Sequence, residues 1–193
     1  MIADRGVKRI EFIDDIFNVQ EKDFVEFFNR VRKDNLGVSF FFPTALKGDL
    51  LNKEVIDTMM QGGAVGVNVS LESASTRMQK VMRKNLNIEK FRDNLDYICK
   101  EYPSAVTTLN TMHGFPTETE EEAKMTLDFI FSMKWVHFPY THIVRIFPWT
   151  DVEIFSLEYA VNKGAINAAI DKAYHEVAPT LPFKKEFTDQ YKL

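Results

Sequence analysis

Glu72 is the residue best placed to do chemistry. It ends a run in which Val65, Val67, Val69 and Leu71 alternate with Gly66, Asn68, Ser70 and Glu72. Such alternation gives a strand one apolar face and one small, polar face. A parallel strand covered by helices on both sides would be apolar on both, so the polar face looks onto something wetter than a core. A carboxylate there needs a donor, a cation or water, because burying it alone is very costly. Ribose hydroxyls or an ammonium group would serve, and so would a structural ion pair with Arg83 or Lys84. Arg77, Lys80, Arg83 and Lys84 follow closely. Helical spacing would put Lys80 and Lys84 on one side, within reach of a ligand carboxylate.

Asp14 and Asp15 close the first strand-like segment. Neighbours on a strand point to opposite faces, so the two carboxylates do not form a proton-sharing dyad by themselves. One can face a site while the other holds the turn. Asn110 lies on the strand before His113-Gly114-Phe115-Pro116, whose Gly and Pro shape a tight exit. His113 reads as a hydrogen-bonded structural residue, and His137 and His142 do not have zinc-site spacing. Gly-x-Gly-x-x-Gly, P-loop and Gly-x-Ser-x-Gly patterns are all absent, which argues against a standard dinucleotide, nucleotide or hydrolase site.

Five strand-like segments position these residues: Val7 to Ile13, Val38 to Phe42, Val65 to Glu72, Val106 to His113 and Val136 to Phe147, the last interrupted by Pro139. Between them, apolar residues recur at helical spacing over Glu21 to Lys33, from a cap at Asn52 to Gly62-Gly63, and over Ile88 to Tyr102 after a cap at Asn87. Thr119 and Glu122 have capping-box spacing for a helix to about Lys134, with Thr117 and Glu120 an equally spaced alternative. Val152 to Val177 reads as mostly helical with a break near Gly164, and the stretch after Pro179 as a peripheral tail. The order βαβαβαβαβα predicts parallel strands joined by right-handed crossovers. Five units are too few for an eight-stranded barrel. An open or partial barrel and a doubly wound sheet both remain, and both gather functional residues at the strand ends.

A chain of 193 residues suits one domain with a real core. Its net charge of −4 gives no bulk attraction to nucleic acid, and none is expected as a partner. No apolar stretch reaches membrane-spanning length and no signal-peptide pattern opens the chain, so no membrane association is expected. The single cysteine, Cys99, sits at helical spacing with Phe91, Leu95 and Ile98 and reads as packing. One thiol cannot form an internal disulfide, which suits the cytoplasm. The 17 phenylalanines read chiefly as helix–sheet packing.

Four segments now fall in order: Ile10-Glu11-Phe12-Ile13-Asp14-Asp15-Ile16-Phe17; Val69-Ser70-Leu71-Glu72-Ser73 with Met82-Arg83-Lys84; Gly114-Phe115-Pro116-Thr117-Glu118-Thr119; and Ile146-Phe147-Pro148-Trp149-Thr150. Over roughly residues 7 to 160 this series resembles the radical S-adenosylmethionine superfamily, above all the branch that often carries a cobalamin-binding domain upstream. The resemblance implies an α/β fold, a partial parallel (β/α) barrel with five of the six βα units, over residues 1–178, with 179–193 as the tail. It implies S-adenosylmethionine at the carboxyl ends of the strands, and a [4Fe-4S] cluster, with cobalamin as a further cofactor, in the parent enzyme. Glu72 would sit beside the cofactor's ribose or amino-acid part and Lys84 at its carboxylate, with Ser70 a further cofactor-binding residue. Asn110 would meet the ribose, Asp14 or Asp15 the loop near the amino group, and Phe147 the adenine.

Two positions depart from the family pattern: Thr117 and Trp149 stand where Gly is usual. The family's Cys-x-x-x-Cys-x-x-Cys segment would precede residue 7 by a strand and a helix. The resemblance therefore implies a chain that begins inside the first helix and is catalytically inert by itself, since Cys99 cannot replace three thiolates. An exposed edge on the first strand would then favour self-association. Two other readings of the residues stay open. One is a complete Mg²⁺- or Mn²⁺-dependent enzyme using Asp14, Asp15 and Glu72; the other is a non-catalytic binding module.

Overall fold

In a computed structural model, which describes residues 5–159, the strands are β1 (Arg9–Glu11), β2 (Ser39–Leu46), β3 (Ala64–Glu72), β4 (Val106–His113) and β5 (Phe138–Ile143). They form one sheet in the order β1-β2-β3-β4-β5, and every pair is parallel. A doubly wound sheet reverses its strand order at a switch point; this one never reverses. Each crossover steps to the next strand in the same direction, as in a barrel, and among the described residues β1 and β5 do not meet. The sheet is therefore an open portion of a parallel (β/α) barrel.

The helices are α1 (Glu21–Lys33), α2 (Lys53–Gln61), α3 (Thr76–Val81), α4 (Ile88–Glu101), α5 (Glu120–Ser132) and α6 (Asp151–Tyr159). Local chemistry sets several of their starts. Asn52 and Asn87 each accept from a backbone N–H three residues on, at 3.0 Å. Thr119 and Glu122 form the reciprocal capping box, so the alternative start at Thr117 is not used. Only the first residues of the last expected helix fall within the described range; its break at Gly164, the tail and the 178/179 boundary lie outside it.

Beneath α1 the core is largely phenylalanine. Phe12, Phe17, Phe24, Phe27, Phe28, Phe40 and Phe42 pack with centroids from 4.2 to 6.3 Å apart, many edge to face. Such pairs add about 0.5–1.5 kcal/mol each beyond the area they bury. Cys99 is buried in the same core, as its spacing predicts, and burial pushes its thiol pKa up.

Three expectations need correction. Strand β2 does not stop at Phe42 but runs through Pro43 to Leu46, because register shifts on that side leave no ladder bond for proline to break. Strand β5 likewise holds Pro139, as an edge strand can, and is shorter than expected. Val65 is 41% exposed and does not join Val67, Val69 and Leu71 in the core. The register shift between Phe40 and Phe41 places Phe40 opposite Ala64 and Phe41 opposite Gly66, leaving Val65 unpaired.

Candidate functional site

Along β4, Thr107, Leu109, Thr111 and His113 are buried while Thr108, Asn110 and Met112 are partly open. The register places Asn68 opposite Thr108 and Ser70 opposite Asn110, so these residues share the sheet's second, concave face. Across β4 the same face continues into Phe138, Tyr140 and His142. Asn68 Nδ2 donates to the Pro43 carbonyl at 2.7 Å. Asn110 Nδ2 donates to Asn68 Oδ1 at 2.5 Å and reaches Ser70 Oγ at 3.5 Å. His142 Nε2 lies 3.3 Å from Asn110 Oδ1. A polar row thus crosses four strands, as the half-polar pattern of β3 predicts.

Glu72 departs from that pattern. A register shift lies between Ser70 and Glu72, which pairs with Thr111, and Glu72 has φ of +62°. The bulge breaks the alternation and re-aims the side chain, so Glu72 does not stand directly above Ser70 and Asn68 as expected. Its carboxylate instead lines a cavity of about 440 Å³ with Lys84, Met82, Phe115, Pro116 and Asp151, all beyond the carboxyl ends of β3, β4 and β5. There Lys84 Nζ donates to Glu72 Oε1 at 2.6 Å.

The route to Lys84 also differs from expectation. Helix α3 ends at Val81, so Lys80 and Lys84 do not share a helical face. Arg83 and Asn85 flank Lys84 with φ of +55° and +48°. This turn is held by a residue that the sequence does not flag. Gln79 is 2% exposed, donates from Nε2 to the carbonyls of Leu71 and Ser73 at 2.7 and 2.6 Å, and accepts from Leu86 N–H at 3.3 Å. Its own carbonyl accepts from the N–H groups of Lys84 and Asn85. The buried side-chain amide of Gln79 therefore fixes the bulged end carrying Glu72 and the Leu86 N–H just past the Lys84 turn, while the Gln79 backbone carbonyl holds the turn itself.

A second unanticipated pair braces the rim. Arg77 donates to both oxygens of Glu122, from Nε at 2.8 Å and from Nη2. Its Nη2 also donates to the Thr117 carbonyl at 2.6 Å. Glu122 accepts further from Ser75 Oγ at 2.6 Å. The Arg77 hydrogen bond, helped by Ser75 and the Thr119 N–H, holds the Glu122 carboxyl down at about 2 despite burial. Glu118 is buried too; it accepts from Gly114 N–H at 2.7 Å and lies 3.7 Å from the buried His113 Nδ1. His113 is thus packed inside the rim, in keeping with a structural role.

The remaining candidates are not drawn together. Asp14 and Asp15 are exposed, and the Asp14 carbonyl, not its carboxylate, accepts from Thr44 Oγ1 at 2.6 Å. Phe147 is 48% exposed in the loop before α6. Among the described residues no three His, Cys, Asp or Glu side chains are placed to hold a metal ion. The Mg²⁺ or Mn²⁺ reading needed Asp14, Asp15 and Glu72 in one cluster; it is not supported.

Thr117 and Trp149 explain themselves in the backbone. Both have positive φ, +69° and +68°, the left-handed region that glycine enters most easily. The loops keep the conformation that suits Gly while these two residues occupy it.

A parallel, singly wound α/β sheet with a polar concave face and a charged rim cavity at its strand ends defines a partial-barrel class of fold. The chain belongs to the radical SAM superfamily, whose family profile matches residues 2–130.

Among curated proteins it is similar to an uncharacterised methyltransferase of Pyrococcus horikoshii, with 25% identity over 96% of this chain and 38% of that protein. It is also similar to the threonylcarbamoyladenosine tRNA methylthiotransferase MtaB of Bacillus subtilis, with 25% identity over 80% of this chain and 34% of that protein. The chain thus spans little more than a third of these relatives, at 38% and 34%. Among solved structures, the methyltransferase TsrM of Kitasatospora setae, with cobalamin and a [4Fe-4S] cluster bound, has a TM-score of 0.68 at 19% identity over 81% of this chain and 32% of that one. Coproporphyrinogen III oxidase of Escherichia coli has a TM-score of 0.54 at 14% identity over 90% and 36%. Both likenesses support the partial barrel. No helix among the described residues is long and apolar enough to cross a membrane.

Proposed function

We propose that this chain forms the S-adenosylmethionine-binding and substrate-facing walls of a radical SAM enzyme that transfers a methyl or methylthio group. The observation that carries the proposal is the Lys84–Glu72 pair, 2.6 Å apart, in the rim cavity of about 440 Å³. Side chains of opposite charge side by side suit a ligand that itself carries an ammonium and a carboxylate. The amides and hydroxyl of Asn68, Asn110 and Ser70 suit sugar hydroxyls. S-adenosylmethionine has all of these groups, so the residues present fit it. When bound, that cofactor supplies a 5′-deoxyadenosyl radical on reductive cleavage. The chain's own contribution is to bind, to orient and to keep water out.

A [4Fe-4S] cluster does not fit these residues. Cys99 is the one cysteine among the 193 residues, and it is buried in the core. Cluster thiolates must come from outside this sequence, and the chain alone is inert in this reading. The methyltransferase and methylthiotransferase relatives support the choice of transferred group, and cobalamin-bound TsrM supports a cobalamin-associated parent. A reducing, cytoplasmic setting suits the single buried thiol.

Calorimetry of the full chain with S-adenosylmethionine tests the proposal. Measurable binding is expected, weakened about tenfold by Lys84→Met and by Glu72→Gln, the scale of one charge-assisted hydrogen bond. No binding, or equal binding by all three proteins, would overturn it.

A further inference from the structure

The row of side chains across the concave face has a direction, and one end sets it. The Pro43 carbonyl only accepts, so the Asn68 atom 2.7 Å from it is the amide nitrogen. Asn68 Oδ1 is thereby turned to Asn110, whose atom at 2.5 Å must be the donor Nδ2. Asn110 then has only Oδ1 left for His142, whose Nε2 lies 3.3 Å away. An amide oxygen cannot donate, so Nε2 carries the hydrogen, and in the neutral ring the lone pair is on Nδ1. No described residue hydrogen-bonds that Nδ1.

The same face of β5 is aromatic at every second residue. Phe138 and Tyr140 have ring planes 8° apart and centroids 6.2 Å apart, and Tyr140 is followed by His142 at 6.3 Å. These rings are not core: Phe138 is 49% and Tyr140 50% exposed. Their surface opens beside the polar row.

We infer that His142 is a specificity-determining residue, and that the concave face of β5 takes a flat, unsaturated substrate carrying an N–H or O–H donor for His142 Nδ1. Phe138 and Tyr140 supply the surface against which a flat ring packs, and the tautomer of His142 selects a donor over an acceptor. The inference rests on the chain forming a substrate-facing wall, as proposed above; it places that wall on β5, beside the row offered to the cofactor's sugar, and names the class of substrate that the wall admits.

Two measurements on the full chain test it. At mildly alkaline pH, long-range proton–nitrogen NMR of ¹⁵N-histidine protein, with the His142 signals assigned by their loss in His142→Gln, is expected to show the Nε2–H tautomer. Asn68→Leu, which removes the anchor of the row, is expected to give a mixture of tautomers. The probes 2-naphthol and 2-methoxynaphthalene share the flat ring, and a methyl group in the second replaces the O–H donor of the first. The first is expected to bind about five- to tenfold more tightly, a preference lost in His142→Phe, as for one hydrogen bond. An Nδ1–H tautomer in the unmodified chain, or equal binding of the two probes to it, overturns the inference. S-adenosylmethionine calorimetry on the same sample reads the cofactor assignment separately. If it fails while the tautomer and donor preference hold, the assignment falls and the His142 site stands.

Discussion

Lys84 Nζ and Glu72 Oε1 meet at 2.6 Å, although twelve residues separate them and neither lies on a helix. Both side chains are less than a third exposed, 27% for Lys84 and 18% for Glu72. Removing one partner leaves the other half-buried and unpaired, which costs more than removing both. Lys84→Met is expected to destabilise the chain by about 1 kcal/mol, between an exposed and a buried pair. The double variant Glu72→Gln, Lys84→Met should recover part of that loss in urea denaturation. A double variant less stable than the sum of the singles would contradict the pairing.

Acid should expose the second rim pair. The Glu122 carboxyl is held at about 2, against an ordinary 4.5, chiefly by its hydrogen bond from Arg77. A folded pKa below the unfolded one means stability that is fully present above about 4.5 and lost as pH falls toward about 2. Glu122→Gln cannot titrate, so its stability should fall less steeply over that window than the parent's. Denaturation midpoints taken across the range would reveal the difference, and parallel curves would count against the assignment.

Trp149 offers a cleaner test of backbone strain than Thr117. It is 95% exposed and has φ of +68°, so glycine there removes strain while losing no packing. Left-handed geometry costs a non-glycine residue about 1–2 kcal/mol, against about 0.5–1 kcal/mol of extra chain entropy for glycine. Trp149→Gly should therefore raise stability by about 0.5 kcal/mol. At Thr117 the gain should be smaller, because Thr117 Oγ1 accepts from Arg77 Nη1 at 3.2 Å and glycine forfeits that bond. Thermal melts of the two variants would rank them.

Gln79→Leu keeps the volume near Gln79 but abandons the carbonyls of Leu71 and Ser73. Unsatisfied buried groups cost about 1–3 kcal/mol each. A loss of at least about 2 kcal/mol is expected, together with weaker S-adenosylmethionine binding, since this amide holds the bulged end that carries Glu72 and the Leu86 N–H just past Lys84. A stable variant with unchanged binding would remove Gln79 from the site's support.

The sequence by itself determined what depends on neighbours along the chain. The caps at Asn52 and Asn87 and the Thr119–Glu122 box act over three residues, and the alternation of β3 and β4 follows from a period of two. These were enough for five parallel strands, their helices and a polar concave face. Tertiary structure alone decided the rest. The strand order runs one way without reversal, which chose the barrel over the doubly wound sheet. The bulge before Glu72 turned that carboxylate out of the row and into the rim cavity. Arg77 finds Glu122 across 45 residues, and Asn110 finds His142 across 32. Such partners are joined by strand pairing and loop closure, and neither leaves a periodic trace in the chain. Local hydrogen bonding and side-chain period are written residue by residue; the meeting of distant polar groups arises only once the core has brought their strands together.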